Sequence, residues 1–188
     1  MAELNKETIV DFIGDIFARR GAESYLGEEV TMSEHMLQGA YLAEQEGAED
    51  VLIVAALLHD IGHYTNEFPE DALEKGQDNY HEDAGARVLA PFFPKLVVDC
   101  VKHHVAAKRY LCATDPSYFA QLSAASVHTL NLQGGPMDAD EVKAFGDEEN
   151  LEAILKVRIW DDRGKVKDLK TPDFAYYAPK VATVASSG

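Results

Sequence analysis

The chain has 188 residues, 46% hydrophobic and 27% charged, ordinary globular usage and enough for one domain (1–188) with a sizeable core. Lys and Arg number 17 against 33 Asp and Glu, a formal net charge of −16; that field repels nucleic acid and anionic membranes, and obliges any anionic ligand to find a local cationic pocket. Cys100 and Cys112 lack CxxC spacing, which excludes a disulfide framework or zinc knuckle; with no membrane-length apolar stretch and no signal pattern, a cytoplasmic protein is expected.

In chain order the pattern is helical nearly throughout. Residues 6–20 place Ile9, Phe12, Ile13, Ile16 and Phe17 on one strip, and Gly21 fits the stop. Thr31 or Ser33 is a competent N-cap for a helix running to Glu46, with Gly47 after it. Residues 51–63 read as a buried central helix, and 65–79 as a polar loop. Helices follow over about 81–90, from 95 to His104 or a little beyond, and over 116–132, with Pro91 and Pro94 between the first two. Gly134-Gly135-Pro136 is a breaker, acidic 138–149 leads into a last helix over 151–160, and 180–188 is a loose tail. No alternation is long enough to build a sheet, so the fold class is all-α.

His59 and Asp60 end the apolar run 51–58, with His35 before them and His81, His104 and Asp161 after. Burying an aspartate there is costly unless a cation compensates it, and imidazoles and carboxylates are what first-row metals take. Adjacent residues lie about 100° apart around a helix, so His59 and Asp60 share one ion only off the helix end, or each serves a bridged pair. One metal would need His59, Asp60 and one or two further histidines; six candidate ligands suit two ions with Asp60 bridging. The absence of thiolate favours iron, manganese or another borderline ion over structural zinc.

The order H…HD…H…H…D is that of the HD-domain superfamily, an all-α fold around one or two metals in which most members are phosphohydrolases. Segments 57–64, 104–111, 133–138 and 158–161 together resemble a narrower group, the mixed-valent diiron oxygenases of phosphonate catabolism, over about residues 20–175. The resemblance implies an HD-domain helical bundle around a dinuclear Fe2+/Fe3+ site held by His35, His59, Asp60, His81, His104 and Asp161. It further implies that O2 oxidises the hydroxyl-bearing carbon of a 1-hydroxyphosphonate, cleaving C–P to release phosphate and a carboxylate. A C–P bond is not readily hydrolysed, so oxidation at carbon is the accessible route.

In that setting Lys108, four residues after His104, and Arg158, three before Asp161, share helix faces with ligands and are expected to clamp the phosphonate. His63, one turn past His59, is expected to face the same site. Ser126, Thr129 and Gln133 recur at i, i+3 and i+7; spacing leaves a substrate edge and a solvent face equally open, and the resemblance favours the former. His128 and His103 fall off these faces and are expected to be structural or surface residues. In the gating loop 21–30 the resemblance puts Tyr25 on the oxygen-binding iron at rest, hydrogen-bonded with Glu28 and displaced by substrate. A trimethylammonium end favours aromatic faces, for which Tyr64, Phe68, Tyr80, Tyr110, Tyr118 and the acidic stretch 67–83 are candidates. By similarity the expected substrate is 1-hydroxy-2-(trimethylammonio)ethylphosphonate, giving glycine betaine; the 2-amino analogue, an HD phosphohydrolase and a metal-stabilised binding module are the rivals.

Overall fold

The computed structural model describes residues 4–6, 8–23, 25, 28–65 and 80–186. Its helices are α1 (Ile9–Arg20), α2 (Met32–Gln45), α3 (Asp50–Leu58), a 3-10 turn (Ile61–Tyr64), α4 (His81–Leu89), α5 (Lys95–Thr114), α6 (Pro116–Phe119), α7 (Ala124–Leu132), α8 (Ala139–Gly146), α9 (Leu151–Arg163) and α10 (Phe174–Ser186). Among the described residues there is no strand, and no helix is long and apolar enough to cross a membrane.

α3 is the centre because it is apolar on every side: Ile53 to Leu58 are all buried, under α2, α5, α9 and α10. α2 starts where its cap predicts. Thr31 Oγ1 accepts from Glu34 N (3.2 Å) and Glu34 Oε2 accepts from Thr31 N (2.8 Å), a reciprocal capping box. Its stop at Gly47 uses a positive φ of 73°.

Five expectations are corrected. The central helix does not reach His63; α3 ends at Leu58, the chain turns through His59 and Asp60, and the 3-10 turn follows. A continued helix would splay these two side chains, whereas the turn brings both to one centre. Gly62 makes it possible, since a Cβ there would stand 1.7 Å from His81 O where the turn packs on α4. α5 outruns its expected end by a further ten residues, to Thr114. The expected helix over 116–132 is two, because Ser123 Oγ accepts from Ser126 N (3.1 Å) and caps α7. The segment read as a loose tail is helical through Ser186, with Val181, Val184 and Ala185 buried at helical spacing as α10 packs on α1 and α3. The acidic lead-in likewise contains a helix, α8, opened by the Asp138–Glu141 capping box.

Candidate metal centre

Five helices bring their ends or faces to the centre around Asp60. α2 supplies His35, the α3 exit supplies His59 and Asp60, α4 opens with His81, α5 carries His104 and α9 carries Asp161; all six side chains are buried. His35, His59 and Asp60 form one triad able to hold an ion, and Asp60, His81 and His104 a second, with ligand atoms within 4.8 Å of one another in each. The shared carboxylate divides its oxygens. Oδ2 lies 3.4 Å from His35 Nε2 and 3.5 Å from His59 Nε2, while Oδ1 lies 3.3 Å from both His81 Nε2 and His104 Nε2. Asp161 joins the first group, its Oδ1 3.4 Å from His35 Nε2 and its Oδ2 3.7 Å from His59 Nε2.

The chemistry of the donors fits cations at both positions. His35 Nδ1 donates to Gly164 O (2.9 Å), His59 Nδ1 to Ala56 O (2.8 Å) and His104 Nδ1 to Val101 O (2.7 Å); a carbonyl can only accept, so each Nδ1 carries the proton. In the neutral rings the Nε2 atoms of His35, His59 and His104 then present lone pairs, yet His35 Nε2 stands 3.0 Å from His59 Nε2, while His104 Nε2 faces His81 Nε2 at 3.0 Å. The facing lone pairs of His35 and His59 at that distance need a positive charge between them. Asp60 Oδ2 and Asp161 Oδ1 are moreover buried without a hydrogen-bond partner, an arrangement costing about 1–3 kcal/mol or more per group unless a cation is bound. The protonation equilibria show the same demand. Burial lowers the His59 pKa, but the Asp60 and Asp161 carboxylates outweigh it and lift the ring to about 9.

Beside the centre is a small cavity, and it gathers most of the residues singled out from the sequence: Tyr25, His63, Lys108, Ser126, Thr129, Gln133 and Arg158 all line it. The polar stripe of α7 is therefore an inner wall. Lys108 is 3% exposed and donates from Nζ to Thr129 Oγ1 (2.8 Å); burial, then the neighbouring Arg158, lowers its pKa to about 7. His63 stacks on His81 with ring centroids 4.0 Å apart, and its Nε2 is 3.9 Å from Asp60 Oδ1. Tyr25 stacks on His35 at 4.0 Å, and burial together with Asp60 and Asp161 holds its phenol protonated.

Three expectations are revised by geometry. Glu28 does not pair with the Tyr25 phenol; its Oε1 accepts from Ser123 Oγ at 2.5 Å. Arg158 is not a free clamp: Nη1 reaches Asp161 Oδ2 (2.6 Å), and Nε (3.0 Å) and Nη2 bind the Asp162 carboxylate, so its charge is shared between Asp162 and the candidate ligand Asp161. Nor do the aromatic candidates assemble. Tyr64 lies under Arg20, Tyr80 is exposed, Tyr110 packs on Phe145 and the Tyr118 hydroxyl binds Asp162; of the described cavity residues Tyr25 is the non-histidine aromatic. Phe68 and residues 67–79 of the acidic stretch, like Leu26 and Gly27, lie outside the described residues. His103 meets the edge of Phe145 and His128 is exposed, both away from the cavity. Sequence reasoning missed Lys165, a cavity residue whose one signal was its position four after Asp161.

Comparison with known proteins agrees with this geometry. The HD domain family matches residues 32–156, which include five of the six converging side chains. The [1-hydroxy-2-(trimethylamino)ethyl]phosphonate dioxygenase (glycine-betaine-forming) of Leisingera caerulea is 58% identical over 181 residues, covering 96% of this chain and 92% of that protein. The hydroxymethylphosphonate dioxygenase of Gimesia maris is 44% identical over 160 residues, 85% of this chain and 80% of that one. An uncharacterised protein of Acanthamoeba polyphaga mimivirus is 34% identical over 171 residues, 89% of this chain and 78% of its own length. With two buried triads sharing one aspartate and phosphonate dioxygenases on either side in similarity, the chain belongs to the HD-domain family, among its phosphonate-cleaving dioxygenases.

Proposed function

We propose that this chain uses O2 to cleave the C–P bond of 1-hydroxy-2-(trimethylammonio)ethylphosphonate, giving glycine betaine and phosphate, with two iron ions as its metals. The observation that carries the reading is the pair of triads sharing Asp60 at the floor of a cavity lined by ammonium, hydroxyl and amide groups. His35, His59 and Asp161 would hold one ion, His81 and His104 the other, and Asp60 would give one oxygen to each. When bound, the ions supply Lewis acidity and redox chemistry toward O2. The chain's own residues do the rest. Lys108, Ser126, Thr129 and Gln133 bind the phosphonate from the cavity wall, Gln133 through its amide N–H. His63 orients the substrate beside His81, and Arg158 aligns Asp161. Tyr25 covers His35 and shields the centre from solvent until substrate arrives. The trimethylammonium preference draws on the 58% identity to the Leisingera protein.

The test is oxygen uptake by the iron-loaded protein on adding the trimethylammonium hydroxyphosphonate, with phosphate and glycine betaine released in step. Phosphate release under strict anaerobiosis would make the chain a hydrolase instead, and preference for the 2-amino analogue would reassign the substrate. Tyr25→Phe gives a second expectation. With the phenol removed, the visible spectrum of the resting iron-loaded protein changes; an unaltered spectrum removes Tyr25 from the metal.

A further inference from the structure

Lys165 stands outside every helix, immediately after α9, yet its backbone is fixed on both sides. On one side Gly164 O accepts from the candidate ligand His35 (2.9 Å), and a Cβ at Gly164 would crowd Trp160 O, His35 O and Gly39 N at 3.1, 3.2 and 3.3 Å. On the other, Val166 exchanges two hydrogen bonds with the buried amide of Gln38, donating to Oε1 (2.9 Å) and accepting from Nε2 (2.8 Å). The side chain so launched runs into the cavity with 10% exposure, whereas Lys167, two residues on, is 59% exposed and paired with Glu29 at the surface. Lys165 Nζ donates to Ser126 Oγ at 2.9 Å, lies 3.9 Å from Asp161 Oδ1 and sits 5.7 Å above the Tyr25 ring.

The hydrogen bonds around Ser126 show what that contact allows. Ser123 Oγ has one proton, and the short contact to the Glu28 carboxylate (2.5 Å) takes it; Ser123 Oγ also accepts from Ser126 N. Lys165 occupies an acceptor position of Ser126 Oγ. Ser123 Oγ is also 3.2 Å from Ser126 Oγ, so the Ser126 hydroxyl proton has two acceptors open to it, Ser123 Oγ or an oxygen arriving in the cavity, and an anion there draws it inward. Lys108 and Lys165 thus each hold one hydroxyl of α7, Thr129 and Ser126, one turn apart on the inner wall.

We propose that Lys165 is a positioning residue for the phosphonate: it fixes Ser126 as a hydroxyl donor to a phosphonate oxygen and adds a second ammonium to the pocket beside Lys108. The assignment rests on the reaction proposed above and deepens it by naming a binding group for the same substrate. Charge-assisted contacts of this kind are worth enough that inorganic phosphate, titrated calorimetrically into the iron-loaded protein, should bind Lys165→Met about tenfold more weakly, and Lys165→Arg within about threefold of the parent. Iron content should be unchanged in both, and KM for the hydroxyphosphonate should rise by more than kcat falls. Because Lys165 acts partly through Ser126, the double variant Lys165→Met/Ser126→Ala should lose much less than the product of the single losses. Equal phosphate affinity in Lys165→Met and parent, or losses that multiply in the double variant, would overturn the assignment. If the parent instead fails to consume O2 with the hydroxyphosphonate, the proposed reaction falls, while the phosphate titration still decides whether Lys165 builds an anion site.

Discussion

Asp60→Asn should empty both metal positions at once. The substitution keeps the shape of the side chain but removes the one carboxylate whose two oxygens face different histidine pairs, Oδ2 toward His35 and His59 and Oδ1 toward His81 and His104. An amide offers one oxygen and one N–H₂, and the latter turns donor protons toward a cation. Elemental analysis should find iron reduced at both sites. Oxygen uptake with hydroxyphosphonate should fall by about 10³-fold, the rate equivalent of the several kcal/mol a metal contributes to a transition state. Asp161→Asn is the comparison that makes the result specific, because Asp161 meets His35 and His59 but neither His81 nor His104. It should lower occupancy at one position and spare the other. Asp60→Asn protein that retains its full iron would mean that Asp60 is a hydrogen-bond partner rather than a shared ligand.

The division between what sequence made legible and what it hid follows the range of the forces involved. Helical periodicity and caps are local, so Thr31 opened α2 where expected and the apolar run 51–58 marked the centre. The six converging side chains were legible for a different reason: a buried histidine–aspartate pair has few physical excuses, and the resemblance supplied the rest. The errors lie where a local signal was ambiguous or the decisive contact was distant. Ser123 reads as an ordinary polar residue inside a helical pattern until its cap bond to Ser126 N is seen. The spacing of Val181, Val184 and Ala185 was helical, but nothing nearby announces that α3 lies beneath it. The partner of Glu28 is 95 residues away at Ser123, and the contacts that aim Lys165 join α2 to the far end of the chain. Arg158 carried the right residue type and spacing for a phosphonate clamp; only the fold reveals that Asp161 and Asp162 already claim it.

Lys108→Met should be the most damaging change to substrate binding that leaves the metals in place. Lys108 Nζ meets Thr129 Oγ1 rather than a metal-facing atom, and with Arg158 tied to two carboxylates it is an amine on the cavity wall left to meet an arriving dianion as an ammonium. Losing a buried charge-assisted contact to a dianion costs about 2–5 kcal/mol, so KM should rise by about 30-fold or more while iron content holds. The parent enzyme carries its own signature of the same group. Burial first, and Arg158 next, lower the Lys108 pKa to about 7, so at pH 8 the amine of the free enzyme is mostly neutral; bound cations push in the same direction. A phosphonate dianion favours the ammonium and raises that pKa. Binding at pH 8 should therefore take up nearly one proton, measurable as a dependence of calorimetric heat on the ionisation enthalpy of the buffer. The sign is fixed: protons are taken up because the bound state holds the raised pKa, so affinity weakens as pH climbs from about 7 and levels once the pH exceeds the bound-state value. Lys108→Met should abolish the uptake together with the slope. Proton uptake persisting in the variant would assign it to another group and leave Lys108 as packing alone.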